Sequence, residues 1–539
     1  MRPTEVTAPG RGEPFTLGGV NKPSITVDSS SSRTSWLILA ALWALLILLA
    51  LVRPLAVPDE GRYAEVGRWM LQSGDWLAPR LNGIPFFHKP PLLHWLQASS
   101  MALLGQHVWA ARLVPALNAG LMMVALYLCA RHWAGEGIAR RAMVMLGTSL
   151  TFLAGGQYVN HDMLVATWIG IAIWLFGLSF LHGERPHTGL ARWGFVACAL
   201  GVLSKGLIGL ALPGLVIFVW LIVSGQAKKM LGFPWFSGLL IFAVLAAPWF
   251  VLAQHQFPGL FDYLFGAQQF GRYTGTTFNN AQGWWFYGVA LLLLFFPWLF
   301  LVLAQVGRAA QVNPQVDRRV FTLAWVWVLA ILIFFSIPRS KLVGYILPVM
   351  PPLALLAAWG WERALGHWRH APKLWAGLVG LALSIAVITN FMVERVTRDR
   401  YTIDIAPTLN CLKQPGDTIY LVGGYPYDLP FLIRAEKQMV VVQDWPTLRK
   451  TTGDNWRREL FEGADFDARA GEVLKTPEVL PAASQQAGHW LVAPRQHAPA
   501  DDLQGWTLVK PGVGWSLYRS TPPGVDMAPA LARCAVAAP

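Results

Sequence analysis

Residues 36–52 read WLILAALWALLILLALV, an apolar run without a charged residue. A helix of about 20 residues crosses the roughly 30 Å hydrocarbon layer of a bilayer, whereas the apolar part of a signal peptide is shorter. The run also lacks a cleavage site of small residues. We therefore predict that it remains in the protein as a membrane anchor.

Similar apolar segments recur along the chain. They lie at 108–130, 141–157, 162–181, 191–204, 206–224, 234–254, 284–305, 320–337, 343–361 and 374–393. Together with the first run, these segments predict a polytopic α-helical membrane protein. Because the loop 54–107 is itself apolar, we expect eleven to thirteen transmembrane helices.

The composition agrees with a membrane protein. Of the 539 residues, 54% are hydrophobic and 14% are charged, whereas an ordinary soluble domain has about 25% charged residues. This excludes a purely cytosolic enzyme. The formal net charge of +13 suggests contacts with anionic membrane lipids. No Lys/Arg run is interleaved with aromatic residues, so no nucleic-acid partner is expected.

The basic residues predict how the chain is oriented. With the N-terminus inside, every short inside loop is basic, as the positive-inside rule requires. The residues concerned are Arg131, Arg140, Arg141, Arg185, Arg192, Lys228, Lys229, Arg308, Arg318, Arg319, Arg363, Arg369 and Lys373. An odd number of spans then places the C-terminus outside.

The chain divides into three predicted regions. Residues 1–34, rich in Ser, Thr, Gly and Pro, form a disordered cytoplasmic tail, and residues 35–393 form the transmembrane domain. Residues 394–539 lack long apolar runs and form an α/β domain on the outer face. Its predicted strands are Thr418–Val422, Met439–Val442, Trp490–Val492, Trp506–Val509 and Trp515–Tyr518, with helical stretches such as 455–475 between them.

Two of the four cysteines, Cys411 and Cys534, lie in this outer domain. A disulfide between them is compatible with an oxidising compartment. The sequence alone leaves the pairing open.

The outer loop 54–107 contains the charged stretch VPDEGRYAE at residues 57–65. Asp59 is a suitable helix N-cap. Apolar or small residues follow at helical spacing, namely Tyr63, Val66, Gly67, Met70 and Leu71. This spacing predicts a helix lying in the membrane interface. Taken locally, the stretch also fits a capped helix with a solvated acidic turn.

Seven motifs in order resemble one protein family. They are Asp59–Glu65, Ser73–Trp76, Lys89–Pro91, Asn160–Asp162, Ser204–Gly206, Gln269–Tyr273 and the element Arg339–Leu342 with Tyr345–Pro348. Together they resemble the polyprenyl-phosphate-dependent glycosyltransferases of the multi-span C-type architecture. The similarity is greatest to the branch that moves 4-amino-4-deoxy-L-arabinose onto lipid A, and it covers about residues 35–360. The chain departs from the family at His88, where Glu is usual, and at Val343-Gly344, where relatives often have Pro-Thr.

The resemblance implies a reaction and a place for it. The reaction is transfer of 4-amino-4-deoxy-L-arabinose from undecaprenyl phosphate to a lipid A phosphate, which confers resistance to polymyxin and other cationic antimicrobial peptides. It would take place at the periplasmic face of the bacterial inner membrane, where the C-terminal domain would also lie.

The resemblance also implies site residues. Carboxylates orient or deprotonate the acceptor, and the catalytic candidates are Asp59, Asp162 and Glu60. Cations and phenols bind the donor phosphate. The candidates for that role are Lys89, Arg272, Tyr345, Arg62, Tyr63, Lys205 and Lys341, with the alternative that such cations reach lipid headgroups instead.

A divalent metal ion stays open as a cofactor, and no other cofactor is expected. The candidate ligands His88, His94, His255 and Asp59 have no compact ligand spacing.

Two other functions also remain open. A protein O-mannosyltransferase-like enzyme using a polyprenyl-phosphate sugar would need Asp59 as a true base. A lipid or sugar transporter would place polar groups at the membrane midplane, whereas here they cluster at the outer mouth and the sequence has no internal repeat.

Overall fold

The computed structural model describes residues 29–271, 280–306, 318–396, 398–453, 455–496, 503–520 and 534. The first helix begins at Ser29, inside the predicted tail, and residues 1–28 lie outside the described part. A helical bundle is followed by a sheet domain, as predicted.

Each of the eleven apolar segments contains helix. Through residue 396 the α-helices are α1 Ser29–Val52, α2 Asp59–Ser73, α3 Leu92–Leu104, α4 Val108–Ala134, α5 Glu136–Thr148, α6 Leu150–Gly156, α7 His161–Leu181, α8 Thr188–Lys205, α9 Ile208–Val223, α10 Trp235–Gln256, α11 Phe286–Leu294, α12 Leu299–Leu303, α13 Arg318–Ser336, α14 Met350–Ala364 and α15 Ala371–Val396. A π-helix at Asp262–Gly271 and 3₁₀ helices at Ala227–Gly232 and Val343–Val349 connect some of them.

Seven helices in the described part are long and apolar enough to cross a membrane. They are Ser32–Leu51, Val108–Ala134, His161–Leu181, Trp235–Gln256, Arg318–Ser336, Val343–Ala364 and Ala371–Met392, and Ile208–Val223 is a shorter apolar helix. The other apolar segments form shorter helices, and the number of eleven to thirteen transmembrane helices stays a prediction. The segment 141–157 is divided at Ser149, and 284–305 is divided between Phe295 and Trp298.

Helix α2 forms where the sequence predicts it, but its surroundings differ from the prediction. It packs against α3 and against the C-terminal domain. Val66 and Met70 are fully buried, so protein rather than the membrane interface covers the predicted apolar face. Pro58 occupies the N-cap position and no side chain caps the helix. The interpretation of Asp59 as the helix cap is therefore wrong.

The C-terminal domain is built on a six-stranded sheet, and all five predicted strands are confirmed. The strands are β3 Thr418–Val422, β4 Val440–Val442, β5 Leu474–Lys475, β6 His489–Pro494, β7 Trp506–Lys510 and β8 Trp515–Ser520. Their order is β5-β4-β3-β6-β8-β7; the first four are parallel, and β8 pairs antiparallel with β6 and β7. The predicted helical stretch 455–475 also contains β5, so helix occupies only part of it.

Short helices surround this sheet, and a hairpin precedes it in the first outer loop. The helices are α16 Ala406–Leu412, α17 Leu429–Leu432, α18 Trp445–Thr451, α19 Arg458–Ala464 and α20 Leu480–Ser484, with 3₁₀ helices at Arg398–Arg400, Ala470–Val473 and Pro477–Val479. The hairpin is β1 Arg80–Leu81 with β2 Ile84–Pro85.

The sheet domain is docked onto the first outer loop. The side-chain amide of Asn82 donates to the carbonyl of Met439 and its oxygen accepts from the Met439 N–H, both at 2.9 Å. Gly463 lies so close to Pro85 that a Cβ at 463 would come within 2.1 Å of the Pro85 carbonyl oxygen. The loop and the domain therefore position each other.

Cys411 and Cys534 form a disulfide, with their Cα atoms 5.9 Å apart. We expect Cys411→Ser to lower the unfolding free energy of the domain by about 2–4 kcal/mol, because the cross-link restricts the unfolded chain. Thermal unfolding followed with and without reductant tests this. The wild-type protein should be destabilised by reductant and the variant should not respond; equal responses would contradict the prediction.

Candidate active site

Four distant parts of the chain meet at the end of the bundle that carries the C-terminal domain. Asp59 follows the C-terminal end of α1, Asp162 begins α7, Lys205 ends α8, and Tyr345 lies in the 3₁₀ helix after α13. Because successive helices run in opposite directions, these ends lie on the same side. The contacts described below confirm that they form a connected set.

Asp59 is the exposed end of a buried network. Its carboxylate accepts from the Arg62 guanidinium at 2.5 Å and from the Tyr158 hydroxyl at 3.3 Å. The Asp59 side chain is 41% exposed and that of Arg62 is 10% exposed. Arg62 also donates to the Tyr63 hydroxyl at 3.2 Å and forms an ion pair with Glu459 of the C-terminal domain. A fixed carboxylate therefore faces open space.

Glu60 has a different environment, although it is the next residue. Its side chain is completely buried. Arg112 binds it through two bonds of 3.0 and 2.8 Å, Arg53 forms an ion pair with it, and the N–H groups of Ala56 and Val159 donate to it. Burial alone would raise the pKa of Glu60, but Arg112 and Arg53 outweigh burial and lower it to about 2. Glu60 is therefore an ionised group that fixes the end of α1 to α2 and α4.

Asp162 forms the centre of a second cluster. It makes an ion pair with Lys205, and the Asn160 amide donates to it at 3.0 Å. Asn160 also accepts from the Asp162 N–H and is the N-cap of α7, so Asp162 is not the cap. The Lys205 ammonium lies 4.4 Å from the centroid of the Tyr345 ring. A Cβ at Gly344 would come within 2.1 Å of Asp162, so the glycine that departs from the family pattern leaves room for this carboxylate.

Tyr63 and His161 join the two clusters. Their ring centroids are 4.8 Å apart, and the His161 ring lies 5.2 Å from that of His94. Burial raises the pKa of Tyr63; Arg62 opposes this, and Asp59 and Asp162 both add to it. Tyr63 is therefore a neutral hydrogen-bond donor within electrostatic range of both carboxylates.

Lys89 lies beside this junction. Its ammonium donates to the His88 carbonyl at 2.9 Å, and Lys89 and Lys205 both act electrostatically on the His161 ring. The His88 ring nitrogen is 2.9 Å from the Tyr263 hydroxyl, which donates to Glu462 at 2.9 Å. The outer loop containing Lys89 is thereby joined to the π-helix 262–271 and to the C-terminal domain.

Lys341 does not share this environment. It is 4% exposed, and its ammonium donates to the carbonyls of Gln282 at 3.1 Å and Pro338 at 2.6 Å. These bonds support the bridge between Ala281 and Ser340. These bonds of Lys341 hold two loops together, and its contact to a donor phosphate stays a prediction. The candidate Arg272 lies outside the described residues.

The candidate metal ligands are dispersed. Among the described residues, no group of three or more His, Cys, Asp or Glu side chains is arranged to hold a metal ion. His94 is fully buried, and burial lowers its pKa to about 3. His255 is exposed at the end of α10.

Sequence reasoning missed several residues that build the site. Arg53, Arg112 and Tyr158 were not among the predicted residues, nor was Glu459 of the C-terminal domain. Arg112 carried a usable signal, because a charged residue inside an apolar segment requires a partner. Glu459 carried none, since it lies 397 residues from Arg62 in the sequence.

Two glycosyltransferase families match parts of the chain. Residues 88–251 match the dolichyl-phosphate-mannose-protein mannosyltransferases. Residues 269–419 match the Alg9-like mannosyltransferase family.

Relatives match over longer stretches. The undecaprenyl phosphate-α-4-amino-4-deoxy-L-arabinose arabinosyl transferase of Pectobacterium atrosepticum is 32% identical over 434 residues, which are 76% of each chain. The protein of the same name from Pseudomonas savastanoi pv. phaseolicola is 30% identical over 363 residues, 66% of each chain. In fold, the chain is similar to the crystal structure of ArnT from Cupriavidus metallidurans bound to undecaprenyl phosphate. That similarity has a TM-score of 0.75 at 24% identity and covers 90% of this chain and 98% of the other.

Proposed function

This chain belongs to the family of undecaprenyl phosphate-α-4-amino-4-deoxy-L-arabinose arabinosyl transferases, and we propose that it moves that sugar from undecaprenyl phosphate to a phosphate of lipid A. Family membership makes the chain a membrane glycosyltransferase and leaves the transporter alternative without support. The match of residues 88–251 to protein mannosyltransferases keeps a protein acceptor as the second candidate. The arabinosyl transferase relatives span more of the chain and favour lipid A.

The observation that carries the proposal is the meeting of an exposed carboxylate with a group of cations at one end of an apolar bundle. The donor leaves behind a polyprenyl phosphate dianion, whose charge must be stabilised near the membrane. Lys89 and Lys205 both act electrostatically on the His161 ring, and Tyr345 stacks against Lys205. Charge-assisted bonds from such groups stabilise a leaving phosphate. We assign them to the donor side.

Asp59 is assigned to the acceptor side. In a direct displacement, an acceptor phosphate oxygen bonds to the anomeric carbon as the bond from that carbon to the polyprenyl phosphate oxygen breaks, which inverts the anomeric centre. The acceptor oxygen is already anionic at neutral pH, so the step needs no strong base. Asp59, held by Arg62 and Tyr158, orients the transferring sugar or the acceptor. Glu60 is assigned a positioning role, because it is buried and surrounded by donors.

We place the site at the periplasmic face of the inner membrane. The Lys/Arg alternation of the loops supports this orientation. The Cys411–Cys534 disulfide also supports it, because disulfides persist in oxidising compartments. A reporter fused after residue 400 should be active only as a periplasmic enzyme, and a cytoplasmic signal would overturn the assignment.

The test of the proposed function is mass spectrometry of lipid A from bacteria with and without this protein. We expect a mass increase of one aminopentose in cells that have the protein and a matching decrease in polymyxin susceptibility. Unchanged lipid A together with newly glycosylated protein would favour the second candidate.

Lys89→Ala should weaken donor binding. Removing one charge-assisted bond to a phosphate costs about 1.5–3 kcal/mol, or roughly 10- to 150-fold in affinity. Binding of undecaprenyl phosphate to the purified protein measures this. Lys437→Ala, an exposed lysine of the C-terminal domain, is the control and should bind as the wild type does. Unchanged binding by Lys89→Ala would shift the phosphate site towards Lys205 and Tyr345.

A further inference from the structure

The sheet of the C-terminal domain has a crevice that the transfer mechanism does not use. Strand β3 lies between two parallel neighbours, β4 on one side and β6 on the other. The chain therefore leaves β3 towards one edge and later returns to its opposite side. In open parallel sheets, ligands bind outside the carboxyl ends of the strands at such a change of direction.

Two adjoining cavities occupy this position, with volumes of about 390 and 410 Å³. Ligand pockets commonly have about 300–1,000 Å³. The walls include Gly423-Gly424 after β3 and Pro494 at the end of β6. Gly423 has a φ of +72°, and a Cβ at Gly424 would lie 3.2 Å from Trp515. The two glycines thus allow β3 to end close against its neighbours and leave the crevice open.

The lining combines aromatic rings with free cations. Trp456 is 48% exposed, and its carbonyl accepts from the Tyr427 hydroxyl at 2.9 Å. Arg457 and Arg400 line the cavities, and neither guanidinium has a hydrogen bond or ion pair to another described residue. No described carboxylate lines either cavity. Flat rings suit the apolar faces of sugars, and guanidinium groups suit phosphates.

The crevice opens beside the candidate active site. Val57 and Pro58 form part of its wall and directly precede Asp59. On the other side, Tyr427 packs so closely on Gly61 that a Cβ there would lie 2.8 Å from the Tyr427 backbone. A group bound in the crevice would therefore be adjacent to Asp59.

We propose that this crevice binds the phosphorylated sugar headgroup of the acceptor lipid and presents it to Asp59. The proposal rests on the proposed function for the identity of the acceptor. The donor sugar does not fit, because its amino group is cationic at neutral pH and two guanidinium groups would repel it. The C-terminal domain is then the part of the enzyme that selects the acceptor.

The test measures binding of a soluble glucosamine disaccharide carrying two phosphates to the full-length protein in detergent. The unphosphorylated disaccharide and inorganic phosphate are the comparison ligands. We expect Arg457→Ala to weaken binding by roughly tenfold, the lower range for bonds to charged groups. Trp456→Ala should weaken it by roughly two- to tenfold, the range for one aromatic contact. Arg449→Ala is the matched control, since Arg449 is an exposed arginine of the same domain that pairs with Asp465 outside the crevice.

Transfer kinetics separate this proposal from the proposed function. If the crevice proposal and the proposed function both hold, Arg457→Ala raises the KM for lipid A about tenfold and leaves kcat near the wild-type value, because uniform binding is lost.

Transfer with normal KM in both variants overturns the crevice proposal and leaves the proposed function intact. Binding of the bisphosphorylated disaccharide that depends on Arg457, without any transfer to lipid A, overturns the proposed function and leaves the crevice as a phosphosugar site. Equal binding of the unphosphorylated disaccharide, or no saturable binding, also overturns the crevice proposal.

Discussion

Asp59→Asn is expected to lower the rate of sugar transfer by about 10²- to 10⁴-fold, the range for losing a catalytic or precisely positioning group. Asparagine has nearly the same size as aspartate. Its amide oxygen still accepts from Arg62, and its NH2 group then faces the Tyr158 hydroxyl, which can accept in place of donating. No side-chain cap is lost, because Asp59 does not cap α2. The variant should therefore fold normally and bind undecaprenyl phosphate as the wild type does, while the transfer rate falls within this range. Initial rates with purified donor and lipid A measure the effect.

Asp465→Asn is the matched control for this experiment. Asp465 is also an exposed carboxylate paired with an arginine, Arg449, but it lies on the surface of the C-terminal domain. Its substitution should leave transfer unchanged. Near-normal transfer by Asp59→Asn would remove Asp59 from the mechanism and move the catalytic assignment to Asp162.

The sequence predicted the elements of this protein well because hydrophobic periodicity determines them. Every apolar segment contains helix, and five of the six strands from 418 to 520 were found from short β-branched and aromatic runs, the exception being Leu474–Lys475. The breaks at Ser149 and near Pro297 were not predicted, since composition does not reveal them. The surroundings of α2 were also missed, because part of the protein that covers it, the C-terminal domain, lies several hundred residues later in the sequence.

The site was predicted only in part, for a similar reason. Family motifs identified Asp59, Arg62, Tyr63, Asp162 and Lys205, and the structure brings these residues together. Sequence motifs do not distinguish a side chain that is exposed in the site from a buried side chain that stabilises the fold. The adjacent carboxylates Asp59 and Glu60 show this difference, since one is 41% exposed and the other is fully buried between arginines. Lys341 shows the same limit, because only its bonds to carbonyl groups reveal a supporting role.

Glu60→Gln tests whether Glu60 stabilises the fold by joining the end of α1 to α2 and α4. It should lower the free energy of unfolding by about 3–5 kcal/mol, the cost of leaving a buried charge without its partner. The substitution keeps the shape of the side chain but leaves Arg112, which is fully buried, without a counter-charge. Thermal unfolding in detergent, followed by tryptophan fluorescence, measures the loss. Glu362→Gln is the control. It breaks an ion pair with Arg141 in which the Glu362 side chain is 48% exposed, and exposed pairs contribute only about 0–1 kcal/mol.

The pH dependence of the free energy of unfolding provides a second, independent test of the role of Glu60. The pKa of Glu60 is lowered from 4.5 to about 2 in the folded protein. A carboxylate with a lowered pKa stabilises the folded state above its unfolded pKa, and this contribution is lost as the pH falls towards the folded value. The stability difference between wild type and Glu60→Gln should therefore stay constant from about pH 8 to pH 5 and shrink below about pH 4.5. A difference that already declines between pH 7 and pH 5 would show that Glu60 is not held as a buried anion. The carboxylate beside Asp59 would then be available for chemistry after all.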